Sequence, residues 1–168
     1  MNCIVNVSRN WGIGMDGDLL VHLSEDLRFF RENTQGCAVI LGRKTLATFP
    51  GGKPLKNRRN IVLTRSSTPI EGAELCHSIR DALRLAEEAE KQMPCWVIGG
   101  AEVYRQLLPY CTLALVTKTE IDTAADAYFP DLDADPNWEL ADRSEEKEEN
   151  GVRFRFLTYR NLSPLSLS

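Results

Sequence analysis

Residues 37–45, Cys-Ala-Val-Ile-Leu-Gly-Arg-Lys-Thr, join an uninterrupted apolar run to a glycine and a basic segment. An apolar run of this length is typical of a strand that is buried on both faces of a sheet, and the glycine predicts a turn into a short helix. The pattern recurs at residues 95–98, an apolar run that leads through Gly99-Gly100 into amphipathic helical spacing. Buried strands that pass directly into helices predict a parallel sheet.

Outward from these two strands, the chain continues to alternate between strand-like and helix-like segments. Further strands are predicted at residues 3–8, 60–64, 73–76 and 113–119, and further helices after residue 24 and from 78 to about 91. Ser24 and Ser78 are the expected N-caps. Residues 9–23 contain three glycines and predict a mobile connection. Residues 138–141 and 152–159 predict an antiparallel hairpin, with an Asn-Gly turn signal between them.

The predicted fold class is α/β, in a single domain. We expect a mixed, mostly parallel sheet with a C-terminal antiparallel hairpin and helices on both faces. The length of 168 residues corresponds to about one domain. Hydrophobic residues make up 43% and charged residues 26% of the chain, which excludes a disordered, collagen-like or coiled-coil protein. We assign residues 1–160 to the domain and residues 161–168 to a C-terminal tail.

Composition and charge also exclude several classes of function. The net charge of −4 argues against nucleic-acid binding, and no apolar run is long enough to span a membrane. The five cysteines form no C-x-x-C pair, and they are expected to be buried thiols in a reducing compartment. His22 and His77 are too few and too far apart to build a zinc site. These features, with an N-terminus that lacks a signal peptide's basic flank, predict a cytoplasmic protein without a metal.

A basic stretch lies beside the apolar strands in the middle of the chain. Residues 33–70 contain no acidic side chain but include Arg43, Lys44, Lys53, Lys56, Arg58, Arg59 and Arg65. Because ligands of α/β sheets bind at strand ends, this stretch favours an anion-binding surface over the alternative of a solvated basic face.

Two strand-to-helix turns have features that suit phosphate binding. Gly99-Gly100 allows a ligand to approach the backbone at a helix N-terminus, and the segment Gly42-Arg43-Lys44-Thr45 offers the same geometry with two cations and a hydroxyl. Thr64-Arg65 would add a hydroxyl and a guanidinium at the end of a third strand. Together these segments predict one long ligand with several phosphates.

Asp26 is the most informative carboxylate in the chain. It lies in the first turn of a predicted helix, next to Leu27, Phe29 and Phe30. Desolvation by apolar neighbours would raise the pKa of the carboxyl, whereas the helix N-terminus would lower it. The alternative is an Asp that faces water and interacts only with the helix dipole.

From Ile4 to Tyr159 the chain resembles the dihydrofolate reductase family. The resemblance rests on six segments in order: Gly12-Ile-Gly-Met15, Leu23-Ser-Glu-Asp-Leu-Arg-Phe-Phe-Arg-Glu-Asn-Thr34, Val39-Ile-Leu-Gly-Arg-Lys-Thr45, Arg58-Arg-Asn-Ile-Val-Leu-Thr64, Val97-Ile-Gly-Gly-Ala-Glu-Val-Tyr104 and Asp126-Ala-Tyr-Phe-Pro130. It implies NADPH-dependent reduction of 7,8-dihydrofolate to tetrahydrofolate by a monomer.

The resemblance also implies roles for individual residues. It makes Asp26 the acidic group that pairs with the pterin, with Thr117 and Tyr104 as polar partners in catalysis. The implied substrate-binding residues are Ile4, Val5, Asp26, Leu27, Phe30, Leu55, Arg58 and Ile98, among which Arg58 would hold the glutamate carboxylate. The implied cofactor-binding residues are Ile13, Leu19, Gly42, Arg43, Lys44, Thr45, Leu63, Thr64, Arg65, Gly99, Gly100, Ala101, Glu102, Val103 and Tyr104.

The chain departs from the family pattern at Leu20-Val21, where the family usually has Pro-Trp. The missing indole would have packed at the pocket edge and donated a hydrogen bond. Two alternative functions remain open at this point: a reductase of the same fold in the riboflavin pathway, and a nucleotide-binding homologue that has lost catalysis. Asp26 and Arg58 favour a pterin with a glutamate tail over the riboflavin precursor.

Overall fold

The computed structural model describes residues 1–15 and 17–168. The strands are β1 (Asn2–Val7), β2 (Gly12–Met15), β3 (Asp18–Leu19), β4 (Ala38–Gly42), β5 (Arg59–Leu63), β6 (Ala73–Cys76), β7 (Cys95–Gly99), β8 (Leu113–Thr119), β9 (Ala127–Tyr128), β10 (Trp138–Arg143), β11 (Lys147–Glu149) and β12 (Val152–Asn161). The helices are α1 (Ser24–Thr34), α2 (Arg43–Ala47), α3 (Ile79–Ala89) and α4 (Ala101–Leu107).

The main sheet has the mixed topology that the sequence predicts. Its strand order is β10-β12-β8-β1-β7-β4-β5-β6, and β11 pairs with β12 outside this path. All pairs from β8 to β6 are parallel, whereas β12 is antiparallel to β8, β10 and β11. The carboxyl ends of the parallel strands therefore lie along one edge of the sheet, where the predicted ligand-binding turns follow them.

Alternation along the buried strands gives the sheet two apolar faces. On one face, Ala38, Ile40 and Val97 pack with the buried side chains of α3 and α4. On the other face, Val39 and Leu41 pack with apolar residues of α1 and α2. Because both faces are covered by helices, the central strands need the uninterrupted apolar runs seen in the sequence.

The segment predicted as a mobile connection is described at residues 9–15 and 17–23, where the structure contains more strand than expected. They contain β2 and β3, and β2 also pairs with β9 to form a small antiparallel sheet. Trp11 anchors the start of this segment: it is buried, it stacks on Phe129, and the Lys118 ammonium lies 3.7 Å from the centre of its ring. Asp16, which belongs to the same stretch, lies outside the described residues.

The predicted N-caps have different outcomes. Ser78 accepts a hydrogen bond from the Asp81 N–H and caps α3 as expected. The prediction for Ser24 is wrong, because the N-cap of α1 is Leu23 and Ser24 is already the first helical residue. A carboxylate from another part of the chain replaces the missing cap, as described below.

Three further observations concern the rest of the chain. All five cysteines are buried free thiols, as predicted. The C-terminal segment is held at Leu165, whose N–H donates to the Pro109 carbonyl, and Leu167 packs against the core. No helix among residues 1–15 and 17–168 has the length and apolar character needed to cross a bilayer.

Candidate active site

The predicted functional residues converge on the carboxyl edge of the parallel sheet and on the face covered by α1. Across this edge the strand ends follow the order β8, β1, β7, β4, β5 and β6. Because neighbouring strands are about 4.8 Å apart, the distance from β1 to β5 is roughly 14 Å. The turns after β7, β4 and β5 can therefore contact successive parts of one extended ligand that begins near β1.

Asp26 lies where α1 approaches β1 and β8. Its Oδ1 accepts a hydrogen bond from the Thr117 hydroxyl at 2.6 Å, and its Oδ2 accepts one from the Asn6 side-chain amide at 3.0 Å. Thr117 is directly opposite Asn6 in the parallel register of the two strands, and its side chain is buried. The carboxylate is therefore held by both neighbouring strands and is no simple helix-start Asp facing water.

Burial raises the pKa of Asp26 above its ordinary value. The hydrogen bonds from Thr117 and Asn6 lower this pKa, because they stabilise the charged form, and the negative charge of Glu149 raises it. Desolvation is the largest of these effects, as the apolar neighbours in the sequence predict. A carboxyl of this kind can hold a proton closer to neutral pH than an exposed Asp.

Glu149 of β11 supplies the N-terminal cap that α1 lacks. Its Oε2 accepts from the Ser24 backbone N–H at 2.8 Å and from the Ser24 hydroxyl at 2.9 Å, and its Oε1 accepts from the Glu25 N–H at 3.1 Å. These bonds lower the pKa of Glu149, since they stabilise its anion. Lys147, two residues earlier, forms an ion pair with Glu25 at 3.3 Å. The C-terminal hairpin thus fixes the helix end that carries Asp26.

Arg58 lies at the other end of α1. Its guanidinium donates to the Thr34 hydroxyl at 3.0 and 3.2 Å and to the Lys56 carbonyl at 2.7 Å. Asp26 and Thr34 are eight residues apart, which at 1.5 Å per residue corresponds to about 12 Å along the helix. Within the described residues Arg58 contacts no carboxylate. It is therefore a positioned cation next to the end of α1 that lies away from Asp26.

Adjacent Arg59, which belongs to the same basic stretch of the sequence, has a different environment. Its guanidinium binds both carboxylate oxygens of Glu74, at 2.7 and 3.0 Å, and also contacts Glu88 at 3.1 Å. These contacts raise the pKa of Arg59 further. Arg59 is a structural ion-pair partner of β6 and α3.

The predicted apolar contacts fall into two groups. Ile4 and Ile98 belong to the apolar cluster on the α1 face, and Phe30 and Leu55 pack against it. Leu27, which is 51% exposed, lines the cleft beside Asp26. Val5 belongs to the cluster on the opposite face, because side chains alternate along β1. Its backbone is the part that remains near the cleft.

A narrow cleft that is open to solvent lies next to Asp26. Its lining includes the predicted residues Ile13 and Leu19, together with Leu20 and Val21 where the family pattern has Pro-Trp. His22 also lines the cleft, which the sequence analysis did not anticipate. It is exposed, however, and its ring is 3.6 Å from the carboxylate of Asp18.

The turn after β7 is tightly packed beneath its backbone. Gly99 has a positive φ of 120°, and a Cβ there would lie 3.2 Å from the ring of Tyr104. The Tyr104 hydroxyl is buried and donates to the Ile4 carbonyl at 2.6 Å. A Cβ on Gly100 would lie 3.1 Å from the Thr45 hydroxyl oxygen. A side chain at either position would have to displace Tyr104 or Thr45, so the packing of this turn favours glycine.

The neighbouring turn after β4 contributes the exposed side chains of Arg43 and Lys44, and Arg65 is exposed after β5. In the part of the chain that the structure describes, none of the three has an ion-pair partner. Thr64 is buried, and its carbonyl lies 2.8 Å from His77 Nδ1. His77 follows β6 and is a further residue at this edge that the sequence analysis missed.

The remaining predicted cofactor residues differ in which part of them reaches the edge. Val103 is buried and packs close to Gly42, and Leu63 is the last residue of β5. Ala101 begins α4. Glu102 is exposed and its carboxylate is occupied by Arg105 and Gln106 of the same helix. Its backbone, at the start of α4, is therefore the part available to a ligand.

Comparisons with known proteins agree with this geometry. The family model for dihydrofolate reductase matches residues 1–161. The chain is 37% identical over 150 residues to a dihydrofolate reductase of Bacillus subtilis (strain 168), covering 88% of this chain and 86% of that protein. It is 36% identical over 158 residues to a dihydrofolate reductase of Neisseria meningitidis serogroup B, covering 93% and 94%. A solved structure of dihydrofolate reductase from Enterococcus faecalis, complexed with NADP(H) and RAB-propyl, superposes with a TM-score of 0.83 at 30% identity and 95% coverage of both chains.

Proposed function

The chain belongs to the dihydrofolate reductase family, and on this premise we propose that it reduces 7,8-dihydrofolate to 5,6,7,8-tetrahydrofolate with NADPH. The observation that carries the proposal is the half-buried Asp26 carboxylate, which lies beside a cleft and about 12 Å along α1 from Thr34, the residue whose hydroxyl the Arg58 guanidinium contacts. This spacing suits a substrate with a nitrogen heterocycle at one end and a carboxylate at the other.

Reduction of the pterin C=N bond needs a hydride at carbon and a proton at nitrogen. NADPH supplies the hydride when it is bound. Asp26 is the proposed source of the proton, directly or through water, since its pKa is raised by burial. Thr117 orients the carboxylate through its hydrogen bond. The Tyr104 hydroxyl donates to the Ile4 carbonyl from the opposite face of the sheet.

The other proposed substrate contacts follow α1 from Asp26 toward Arg58. We assign the pterin side to the backbone of Ile4, Val5 and Ile98, and the apolar walls to Leu27, Phe30 and Leu55. Arg58 would bind the glutamate carboxylate through a bidentate pair. Asn60 supports this wall, because its side chain bonds both the N–H and the carbonyl of Leu55, at 3.0 and 2.9 Å.

NADPH would be held along the carboxyl edge of the sheet. We assign its phosphates to the turns after β7, β4 and β5, and the nicotinamide side to Ile13 and Leu19 at the cleft. The proposed phosphate-binding and adenosine-binding residues are Gly42, Arg43, Lys44, Thr45, Leu63, Thr64, Arg65, Gly99, Gly100, Ala101, Glu102, Val103 and Tyr104. Two features support this assignment: a backbone without side chains at Gly99-Gly100, and the exposed cations Arg43, Lys44 and Arg65, which form no ion pair within residues 1–15 and 17–168.

We also propose that the protein acts as a cytoplasmic monomer that binds no nucleic acid. Its net charge of −4 and its buried free thiols support this proposal. Sedimentation at micromolar concentration is expected to give the mass of one chain, and a dimer would contradict it.

One assay tests the function against its alternatives. NADPH oxidation is followed with dihydrofolate, with the ribosylaminopyrimidine precursor of riboflavin, and with neither. Turnover with dihydrofolate alone supports the proposal. Turnover with the riboflavin precursor alone assigns the other reductase activity, and NADPH binding without turnover in any mixture assigns a binding protein.

A further inference from the structure

Asn6 is the next-to-last residue of β1, a polar side chain directly after the apolar residues 3–5, and none of the sequence motifs accounts for it. Its side chain lies next to the cleft and on the same face of the sheet as Thr117 and Thr119 of the neighbouring strand. Both the oxygen and the nitrogen of its side-chain amide form hydrogen bonds. The Thr119 hydroxyl donates to Asn6 Oδ1 at 2.7 Å, and Asn6 Nδ2 donates to Asp26 Oδ2 at 3.0 Å.

The first of these bonds fixes the orientation of the second. Thr119 is fully buried, and its hydroxyl needs an acceptor, which the amide oxygen of Asn6 provides. With Oδ1 occupied in this way, Nδ2 faces Asp26, and a turned amide would place an oxygen against the carboxylate. Thr117 holds the other oxygen of Asp26 at 2.6 Å. The two contacts together fix the plane of the carboxylate.

The segment on the other side of the cleft offers no comparable donor. Leu20 and Val21 line the cleft with aliphatic side chains, and the described contact of His22 is with Asp18. Among the described residues, Asn6 and Thr117 are the side-chain donors to Asp26. From this arrangement we propose that Asn6 is a positioning residue for Asp26, which orients the carboxylate toward the substrate.

This inference deepens the proposed function and rests on it for the identity of the substrate. The groups that act on Asp26 from the surrounding elements are Glu149 of β11, which is acidic, and Tyr104 of α4, which is titratable and buried. β1 and β8 contribute the neutral donors Asn6 and Thr117. Removal of Asn6 therefore changes a hydrogen bond to the carboxylate and leaves these ionisable groups in place.

The test is a ¹³C NMR titration of the Asp26 carboxyl in the ligand-free protein, with the resonance assigned from the Asp26→Asn variant. Asn6→Leu has nearly the same shape and no donor, and it is expected to raise the pKa of Asp26 by about one pH unit or more. Thr119→Val keeps Asn6 but frees its amide, so a smaller rise is expected. Thr119→Ser restores the hydroxyl and is expected to return the pKa to that of the parent.

Thr112→Val is the matched control, because Thr112 forms the same type of bond to Asn2, at 2.9 Å, at the opposite end of the same strand pair. It is expected to leave the pKa of Asp26 unchanged. The inference is overturned if the pKa of Asp26 in both Asn6→Leu and Thr119→Val equals that of the parent. It is also overturned if Thr112→Val shifts the pKa of Asp26 by as much as they do.

The pH profile of dihydrofolate reduction is then measured for the same variants, and its apparent pKa is expected to follow the same order. Because the NMR titration needs no substrate, the two proposals can fail separately. An enzyme inactive with dihydrofolate contradicts the proposed function, whereas an unchanged titration in an active enzyme contradicts the role of Asn6.

Discussion

At the scale of single residues, the Asp26 carboxylate has two opposing requirements. For its proposed role, the pKa of the carboxyl must be high enough for it to hold a proton near neutral pH. The carboxylate must also keep its orientation toward the substrate. Burial meets the first requirement and the donors from β1 and β8 meet the second. The chemistry of the site therefore depends on a balance between desolvation and hydrogen bonding at one side chain.

Asp26→Asn is expected to fold and to bind NADPH. Its rate of dihydrofolate reduction at neutral pH is expected to be about 10²–10⁴-fold lower than that of the parent. The amide is nearly isosteric but cannot supply the proton. Because the substrate can still be protonated from solvent, the residual rate is expected to rise as the pH falls. Steady-state rates between about pH 6 and pH 8 measure this, and near-parental activity over that range would remove Asp26 from its catalytic role.

Arg58→Lys is expected to raise the KM for dihydrofolate by about tenfold or more, because an ammonium cannot reproduce a bidentate pair. The hydride step, measured in a single turnover at saturating substrate, should change little. Circular dichroism is needed alongside, because Arg58 also anchors Thr34. Since Arg59 is engaged by Glu74 and Glu88, an unchanged KM would transfer the role to Lys53.

Arg65→Ala is expected to weaken the binding of NADPH by about tenfold or more, because a charge-assisted bond to the 2′-phosphate is lost. The affinity for NADH, which lacks this phosphate, should stay the same. The matched control is Arg143→Ala, an exposed arginine on β10 at the opposite end of the sheet order. Equal losses with both cofactors would show that Arg65 contacts a group that NADH also carries. Fluorescence titration of each variant with each cofactor gives the comparison.

At the scale of elements, α1 depends on a distant hairpin for its start. Glu149 accepts the backbone N–H groups of Ser24 and Glu25, so the turn between β11 and β12 determines how firmly Asp26 is held. A helix end without such an acceptor would leave its first amides unsatisfied. The hairpin is therefore part of the active-site framework as well as the sheet.

Glu149→Gln is expected to lower the urea midpoint of unfolding, because the amide nitrogen of Gln cannot accept from the helix N–H groups. It is also expected to lower the pKa of Asp26, since it removes a nearby negative charge. Glu148→Gln, on the exposed side of the same strand, is the matched control and should change neither quantity. An equal effect of both variants would indicate a general charge effect of the hairpin.

At the scale of the whole molecule, the raised pKa of Asp26 links function to stability. As the pH falls, the folded protein takes up a proton at Asp26 before the unfolded chain does, so the free energy of unfolding increases. Asp26→Asn cannot take up this proton. The parent is therefore expected to gain stability relative to Asp26→Asn as the pH is lowered from about 7.5 to 4.5, by about 1.4 kcal/mol for each pH unit that separates the folded and unfolded pKa.

Urea unfolding at several pH values measures this difference. Asp142→Asn, exposed on β10, is the control and is expected to keep the pH dependence of the parent. If the difference in the free energy of unfolding between the parent and Asp26→Asn is constant over this pH range, burial does not raise the pKa of Asp26 in solution.

The sequence by itself predicted most of the main sheet and the strand-to-helix turns. It also singled out Asp26, whose catalytic role stays a prediction. Apolar runs, glycines and a carboxylate beside aromatic residues are local signals, and each depends on residues within one or two elements. The predicted β6 and β8 agree with the structure at both ends for this reason. The cap of α1 failed at this level, since Ser24 had the right chemistry one position too late, and the short strands β2, β3 and β9 were not predicted.

The tertiary structure alone decided which distant side chains form hydrogen bonds with Asp26 and with the start of α1. Asn6 and Thr117 are more than a hundred residues apart and become neighbours through the pairing of β1 with β8, and Glu149 reaches α1 through the hairpin. It also separated the roles of Arg58 and Arg59. Their side chains have different partners, Thr34 for one and a carboxylate of β6 for the other, and this choice follows from strand pairing, which the local sequence does not contain.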